Sequence, residues 1–397
     1  MNRNFLIALI LAGFVTLAHA QTPVPNKPSP TAGARPVPAV PQLGAKSYLL
    51  MDFNSGRILV EQNADLQVEP ASITKLMTSY VVFKELAEGS ITLEETAEVS
   101  EKAWRTGGSR MFIEPGMQVS VEDLIKGMVI QSGNDASVAL AEHVAGSEEA
   151  FAGLMNFYSE LLGMTGTSYV NSTGLPDPQH YTTARDIVLL SAAIIREFPG
   201  YYTWYSEKEF TFNNIRQHNR NTLLWRDPAI DGLKTGHTEA AGYCLATAAK
   251  RDGMRLISAV MGSASETSRA TETQTLLNYG FRFFETVQLY QAGQELAHGR
   301  VWKGLTDEVT LGLEEPLFVT IPRGRYDDLD AQIEMQAELS APLASGVTVG
   351  KITIQLGEDL VASRNLVTLS AVEKAGFFGR TWDGLRLWIS GIFENDE

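Results

Sequence analysis

The spacing of apolar and polar positions changes character several times along the chain, and each change marks an element. Two short apolar runs, Tyr48-Leu49-Leu50-Met51 and Ile58-Leu59-Val60, flank Asn54-Ser55-Gly56. Turn residues between such runs predict a β-hairpin over residues 45–60. From residue 72 to about 198 the pattern turns helical, opening with a run from Leu76 to Phe83 just after Pro70-Ala71. Proline ahead of an apolar run marks a helix N-terminus. Ser120, with Asp123 three positions on, starts a helix over residues 121–131, and residues 136–145 form another that stops before Gly146. A second hairpin spans residues 242–262, where apolar runs from Tyr243 and from Met254 enclose Arg251-Asp252-Gly253. Asp-Gly between apolar runs is a strong hairpin signal. Residues 267–285 then read as a helix with one apolar face. Strands at both ends with helices between them predict an α/β layered domain whose sheet includes antiparallel pairs.

Beyond residue 286 the segments become short, alternating and β-rich, as in Val309-Thr310-Leu311-Gly312-Leu313 and Val347-Thr348-Val349-Gly350-Lys351-Ile352. They predict a small all-β domain over residues 286–373. Residues 374–397 differ again: Phe377, Phe378, Trp382, Leu385, Trp388, Ile389, Ile392 and Phe393 recur at helical spacing with charges between them. A Trp- and Phe-rich amphipathic helix of this kind is expected to lie in a membrane interface. At the other end, Arg3, an apolar stretch from Phe5 to Leu17 and Ala18-His19-Ala20 read as a secretory signal over residues 1–20. Residues 21–43 are Pro-rich and read as a linker, leaving residues 44–285 for the first domain.

Composition narrows the function classes. The chain of 397 residues carries a formal charge of −15, which argues against nucleic acid as a partner. Cys244 is the single cysteine, so an intramolecular disulfide, a Cys-based zinc site and an N-terminal lipidated cysteine are all excluded. Its strand-like surroundings predict a buried small hydrophobe. The six histidines are scattered without paired spacing, so neither a metal nor a cofactor is called for.

Three short motifs carry the candidate chemistry. Ser72 and Lys75 stand three residues apart at a predicted helix start and therefore share a face. A serine hydroxyl needs a base, and a lysine serves as one when burial lowers its pKa. Ser132-Gly133-Asn134 falls between two predicted helices, where a loop can present Ser132 and Asn134 to a cleft. Ser363-Arg364-Asn365 fits the same pattern but lies outside the first domain. Lys234-Thr235-Gly236 precedes the second hairpin, where a strand edge can offer charge and hydroxyl to a substrate carboxylate while Gly236 leaves room for close approach.

In this order the three motifs resemble the active-site set of penicillin-binding proteins and serine β-lactamases. Pro70 to Met77, Ser132 to Ala136, Gly232 to Thr238 and Asn171-Ser172-Thr173-Gly174-Leu175-Pro176 look like the low-molecular-mass penicillin-binding proteins that are serine-type D-alanyl-D-alanine carboxypeptidases. The resemblance implies a serine β-lactamase/transpeptidase-like fold, an antiparallel sheet with a helical cluster, followed by the all-β domain and the amphipathic helix. It implies Ser72 as the acylated nucleophile, Lys75 as its base and Ser132 as the proton relay to the leaving amine. Asn134 would hold the peptide. Lys234 and Thr235 would bind the terminal carboxylate, and the backbone N–H groups of Ser72 and His237 would form the oxyanion hole. Arg269 stands where the family often has a carboxylate-steering arginine; it reads equally as an ordinary surface arginine of a helix. The implied partners are peptidoglycan stem peptides, β-lactams as covalent inhibitors and the membrane surface. The implied location is the periplasm, on the outer face of the inner membrane.

Alternatives share these motifs: an endopeptidase acting on cross-links, a serine β-lactamase, and a non-enzymatic peptidoglycan-binding protein. Residues 166–186 contain no Glu to activate a deacylating water as one class of β-lactamase does, so a penicillin is expected to stay bound.

Overall fold

The computed structural model describes residues 19–21, 24–25, 36–336 and 338–376. The body of the expected signal segment, up to residue 18, and the amphipathic segment from residue 377 lie outside those residues. Two compact units are present, one formed by residues 36–286 and the other mainly by residues 287 onward.

The first unit is built on a five-stranded sheet ordered Ile58–Gln62, Ser47–Asp52, Met254–Ser263, Gly242–Arg251, Ile230–Thr238. All four pairings are antiparallel. Both predicted hairpins are present. Asp252 and Gly253 of the second have φ of 49° and 82°, the mirror-image turn that suits strand twist. Ser47–Asp52 is buried along its whole length. The reason is that both faces of the sheet are covered. Leu49, Met51, Ile257 and Ala259 point to the larger core, while Tyr48, Leu50, Leu256 and Val260 point to a second core beneath the helix Glu266–Phe283. A central strand with two buried faces cannot alternate apolar and polar. Cys244 is buried on the larger-core side, as its surroundings predicted.

The larger core holds Lys75–Glu88, Val121–Ile130, Asn134–Ala145, Glu148–Leu161 and Ala184–Glu197. Lys75–Glu88 is buried over its first nine residues, so it runs through the unit rather than along its surface. It ends at Gly89 in the left-handed conformation, which lets the backbone close the last turn. Ser120 caps Val121–Ile130 by accepting from the Asp123 N–H, as the spacing predicted. Three boundaries differ from expectation. Asn134 begins its helix instead of preceding it, because Gly133 serves as the cap. The helix near the end of the unit starts at Glu266 and stops at Phe283, and residues 284 and 285 open the next strand, Phe284–Tyr290. The region 72–198 also contains a small strand pair, Thr96–Glu98 with Gln118–Ser120. The Pro-rich segment is extended from residue 36, where the Tyr279 and Tyr48 hydroxyls donate to the Pro38 and Pro41 carbonyls.

The second unit is β-rich. Its largest sheet has seven strands, ordered His19–Gln21, Leu329–Met335, Thr348–Leu356, Asp359–Thr368, Glu308–Gly312, Ala297–Trp302, Leu339–Ser340. Leu311, Val319, Ile333, Ile352, Ile354 and Leu366 form its core. Ser363 and Asn365 sit within a strand, paired with Thr353 and Lys351. That second Ser-x-Asn is therefore ladder and not loop. Lys374 makes a bridge with Gly304, so the first residues of the expected terminal helix are extended. Among the described residues no helix is long and apolar enough to cross a membrane.

Candidate active site

Ser72 lies on a short 3-10 turn, Ala71–Thr74, that leads directly into the helix beginning at Lys75. Residues three apart eclipse on such a turn. The spacing of the motif therefore brings Lys75 Nζ to 3.0 Å from Ser72 Oγ. Lys75 is 0% exposed. Its Nζ also donates to Asn134 Oδ1 at 2.6 Å and to the Thr173 carbonyl at 2.7 Å. The Asn134 amide is oriented by its other end, where Nδ2 donates to the Gly107 carbonyl at 2.6 Å. Two of the three Lys75 partners can only accept. A neutral amine has two N–H groups and one lone pair. With both N–H groups taken by Asn134 and Thr173, the lone pair faces the one partner that has a proton to give, Ser72. Burial lowers the Lys75 pKa to about 7, against a smaller opposing pull from Asp135.

The second pair stands opposite. Lys234 Nζ donates to Ser132 Oγ at 2.9 Å and to the Thr235 carbonyl at 3.0 Å. Lys234 is 2% exposed, and burial, reinforced by the charges of Lys75, Arg220 and Arg269, holds its pKa well below the ordinary lysine value. Ser132 has φ of 70°, a left-handed conformation that costs a non-glycine residue about 1–3 kcal/mol. The neighbouring backbone holds it there: Gly133 N–H donates to the Gly127 carbonyl and Asn134 N–H to the Ser109 carbonyl. Asp135, fully buried, accepts from the backbone N–H groups of Met111, Phe112 and Ala136, and so fixes the loop beside Ser109.

Lys234, Thr235, Gly236 and His237 lie on Ile230–Thr238, the edge strand of the sheet. Gly236 was expected to leave room for substrate. The structure gives a nearer reason: a Cβ there would meet the Pro70 carbonyl oxygen at 3.0 Å and Ala71 Cβ at 3.2 Å. Glycine lets the strand press against the Ser72 turn. On the other side of that turn, a Cβ at Gly174 would lie 1.8 Å from the Ala71 carbonyl oxygen. The segment 171–174 is thus packed on the nucleophile while its Thr173 carbonyl holds Lys75. His180 braces the same contact. Its Nδ1 accepts from the Val170 N–H at 3.1 Å, so Nε2 carries the proton and donates to Thr74 Oγ1 at 2.8 Å. Burial pushes its pKa down to about 4, keeping the ring neutral.

A cleft of about 260 Å³ opens above these groups, lined by Ser72, Ser132, Thr235, Gly236, His237 and Arg269 among others. All nine residues singled out from the sequence are brought together, six on the cleft and Lys75, Asn134 and Lys234 bonded beneath it. Arg269 is no ordinary surface residue: it is 4% exposed. The exposed His237 ring packs on Tyr243, with centroids 4.0 Å apart. Sequence reasoning missed Arg220, Ser109, Tyr243 and Glu266, which also line the cleft. Only Tyr243 had a signal, its position opposite His237 in the hairpin register. The segment 166–186 has no Glu of its own, but Glu148 reaches it from a neighbouring helix. That carboxylate accepts from the Ser172 N–H and hydroxyl.

A serine whose proton faces a dehydrated amine, beside a second serine held by a lysine, defines a serine acyl-transfer site. Residues 34–265 match the family described as D-alanyl-D-alanine carboxypeptidase, and residues 284–374 match the C-terminal domain of penicillin-binding protein 5. The chain is 44% identical to the D-alanyl-D-alanine carboxypeptidase DacA of Escherichia coli over 99% of its own length and 98% of that protein. Its fold matches penicillin-binding protein 5 from Haemophilus influenzae with a TM-score of 0.82 at 43% identity, over 85% of this chain and 99% of the other. It also matches penicillin-binding protein D2 from Listeria monocytogenes in an ampicillin-bound form, with a TM-score of 0.56 at 30% identity, over 60% of this chain and 98% of the other. The chain belongs to the D-alanyl-D-alanine carboxypeptidase family, serine-type peptidases of peptidoglycan metabolism.

Two measurements test this geometry. With Lys75 as the base, acylation by a fluorescent penicillin should accelerate as pH rises through about 7, because protonation below that value removes its lone pair. A rate that is flat or falls between pH 5.5 and 8.5 would refute Lys75 as the base. Gly236→Ala should push the Ser72 turn by a few tenths of an ångström and slow acylation roughly tenfold, since small misplacements are costly at a reacting centre. Thermal unfolding should stay within a few degrees of wild type. An unchanged acylation rate would show that the close approach does not matter.

Proposed function

We propose that this chain removes the terminal D-alanine from peptidoglycan pentapeptide stems through an acyl-enzyme on Ser72. The observation that carries the reading is the buried Lys75 Nζ, 3.0 Å from Ser72 Oγ, whose other two partners, Asn134 Oδ1 and the Thr173 carbonyl, can only accept. Ser72 Oγ attacks the carbonyl carbon of the penultimate D-alanine as its proton passes to Lys75. The resulting oxyanion faces the backbone N–H groups of Ser72 and His237, and each such donor contributes about 3–4 kcal/mol. Collapse breaks the peptide bond, and the proton held by Lys75 passes through Ser132 Oγ, bonded to Lys234, to the departing nitrogen. Thr235 and Arg269 receive the carboxylate of the leaving residue. The second N–H of the Asn134 amide, whose first is held by Gly107, is available to the peptide backbone. Lys75, an amine again, takes a proton from the water that attacks the ester and returns it to Ser72 Oγ as the shortened peptide leaves.

A β-lactam meets the same serine. Its amine stays tethered to the acyl group, and the segment 166–186 supplies no Glu to drive deacylation. The drug is therefore a slowly released inhibitor. Secretion through residues 1–20 and attachment through residues 374–397 would hold the enzyme at the outer face of the inner membrane.

Ser72→Ala should lose D-alanine release by at least about a thousandfold, as removal of a nucleophile does, and should take up no penicillin by intact mass. Wild-type release by this variant would disprove the assignment. Deleting residues 377–397 should move the protein from the membrane pellet to the soluble fraction while D-alanine release persists. Continued pelleting would refute the anchor.

A further inference from the structure

Arg269 is not a free receptor. It sits three residues after Glu266 at the start of Glu266–Phe283, on the same face of the helix. Its Nη2 donates to Glu266 Oε1 at 3.1 Å. Its Nε, on the same edge of the guanidinium, is buried with no hydrogen-bond partner. A planar guanidinium binds a carboxylate best through two parallel bonds. Here one is made and its neighbour is left open.

The two partners differ sharply in freedom. The Arg269 side chain is 5% exposed and the Glu266 side chain 58% exposed. Arg269 is also seated over the Tyr243 ring at 5.8 Å, and Tyr243 packs on His237. The cation is fixed and the carboxylate can swing. Both line the cleft with Ser72 and Thr235. The helix N-cap does not depend on Glu266, because Ser265 supplies it by accepting from the Ser268 N–H at 3.0 Å.

We infer that Glu266 is a resident carboxylate that occupies Arg269 in the free enzyme and is displaced by the terminal carboxylate of the substrate. It keeps a dehydrated cation partly satisfied while the cleft is empty. The incoming carboxylate can take both Nε and Nη2, which Glu266 takes only in part. When the D-alanine product leaves, Glu266 returns and opposes its rebinding. The inference rests on Arg269 acting as the carboxylate receptor in the proposed reaction. Glu266 acts here through Arg269, so it is a positioning residue that sets substrate affinity. The Glu266 end of the pair is open to solvent and makes a single bond, so the pair is weak and its displacement raises KM only about two- to fivefold.

The test compares wild type, Glu266→Gln, Arg269→Gln and the double variant on a diacylated tripeptide ending in D-Ala-D-Ala. The C-terminal amide of the same peptide is read as a competitive inhibitor. Glu266→Gln should lower KM for the free acid about two- to fivefold, with the change in KM rather than kcat. Its inhibition constant for the amide should not move. The effect should vanish in the Arg269→Gln background. An unchanged or raised KM in Glu266→Gln, or an equal shift for acid and amide, overturns the inference. If Arg269→Gln raises KM for the acid in that case, the carboxylate-receptor reading stands and Glu266 alone is misassigned. If Arg269→Gln leaves that KM unchanged, the reading of Arg269 fails and the inference with it.

Discussion

The proposed chemistry of this protein depends on keeping water away from one lysine. An ammonium in water holds its proton tightly, and only dehydration makes it a base near neutral pH. Dehydration without hydrogen-bond partners would be ruinous for the fold. The solution is a buried amine whose two N–H groups are both accepted, by Asn134 Oδ1 and the Thr173 carbonyl. Those acceptors come from chain positions far from Lys75, so the site exists only once the whole unit has folded. The fully buried start of Lys75–Glu88 and the doubly covered sheet serve this end. They make the platform on which an amine stays dry.

The electrostatic setting follows. The chain is strongly acidic overall, yet Arg220 and Arg269 line one cleft, with the Lys234 amine bonded just beneath it. A positive recess in a negative surface focuses anionic ligands toward one point. Burial first, and the neighbouring positive charges after it, depress Lys234, so the packing that builds the cleft also sets its proton affinity.

Much of this was legible in the sequence where the physics is local. Serine and lysine three apart, Asp-Gly between apolar runs and Ser120 before Asp123 each act within a turn, and each stands as read. The edges of elements were less legible, because Asn134 and Glu266 begin helices for reasons held in neighbouring caps. Long-range contacts could not be read at all. Nothing near Gly236 in sequence reveals that it faces the Ser72 turn, and nothing near Gly174 reveals Ala71. Arg220 and Glu266 carry no motif; only folding places them on the cleft.

The strand that carries Lys234 to His237 is the last in its sheet. An edge strand keeps alternate backbone donors and acceptors unpaired, and an extended peptide can join it as one more strand. Here the protein itself closes most of that margin: residues 232–236 are buried, and Asn221 Nδ2 and Lys234 Nζ donate to the Gly232 and Thr235 carbonyls. Only His237 of the strand is exposed, so a strand from a misfolded neighbour finds little here to pair with. The large negative charge of the chain adds mutual repulsion between copies. The acidity that argues against a nucleic-acid partner thus also works against self-association.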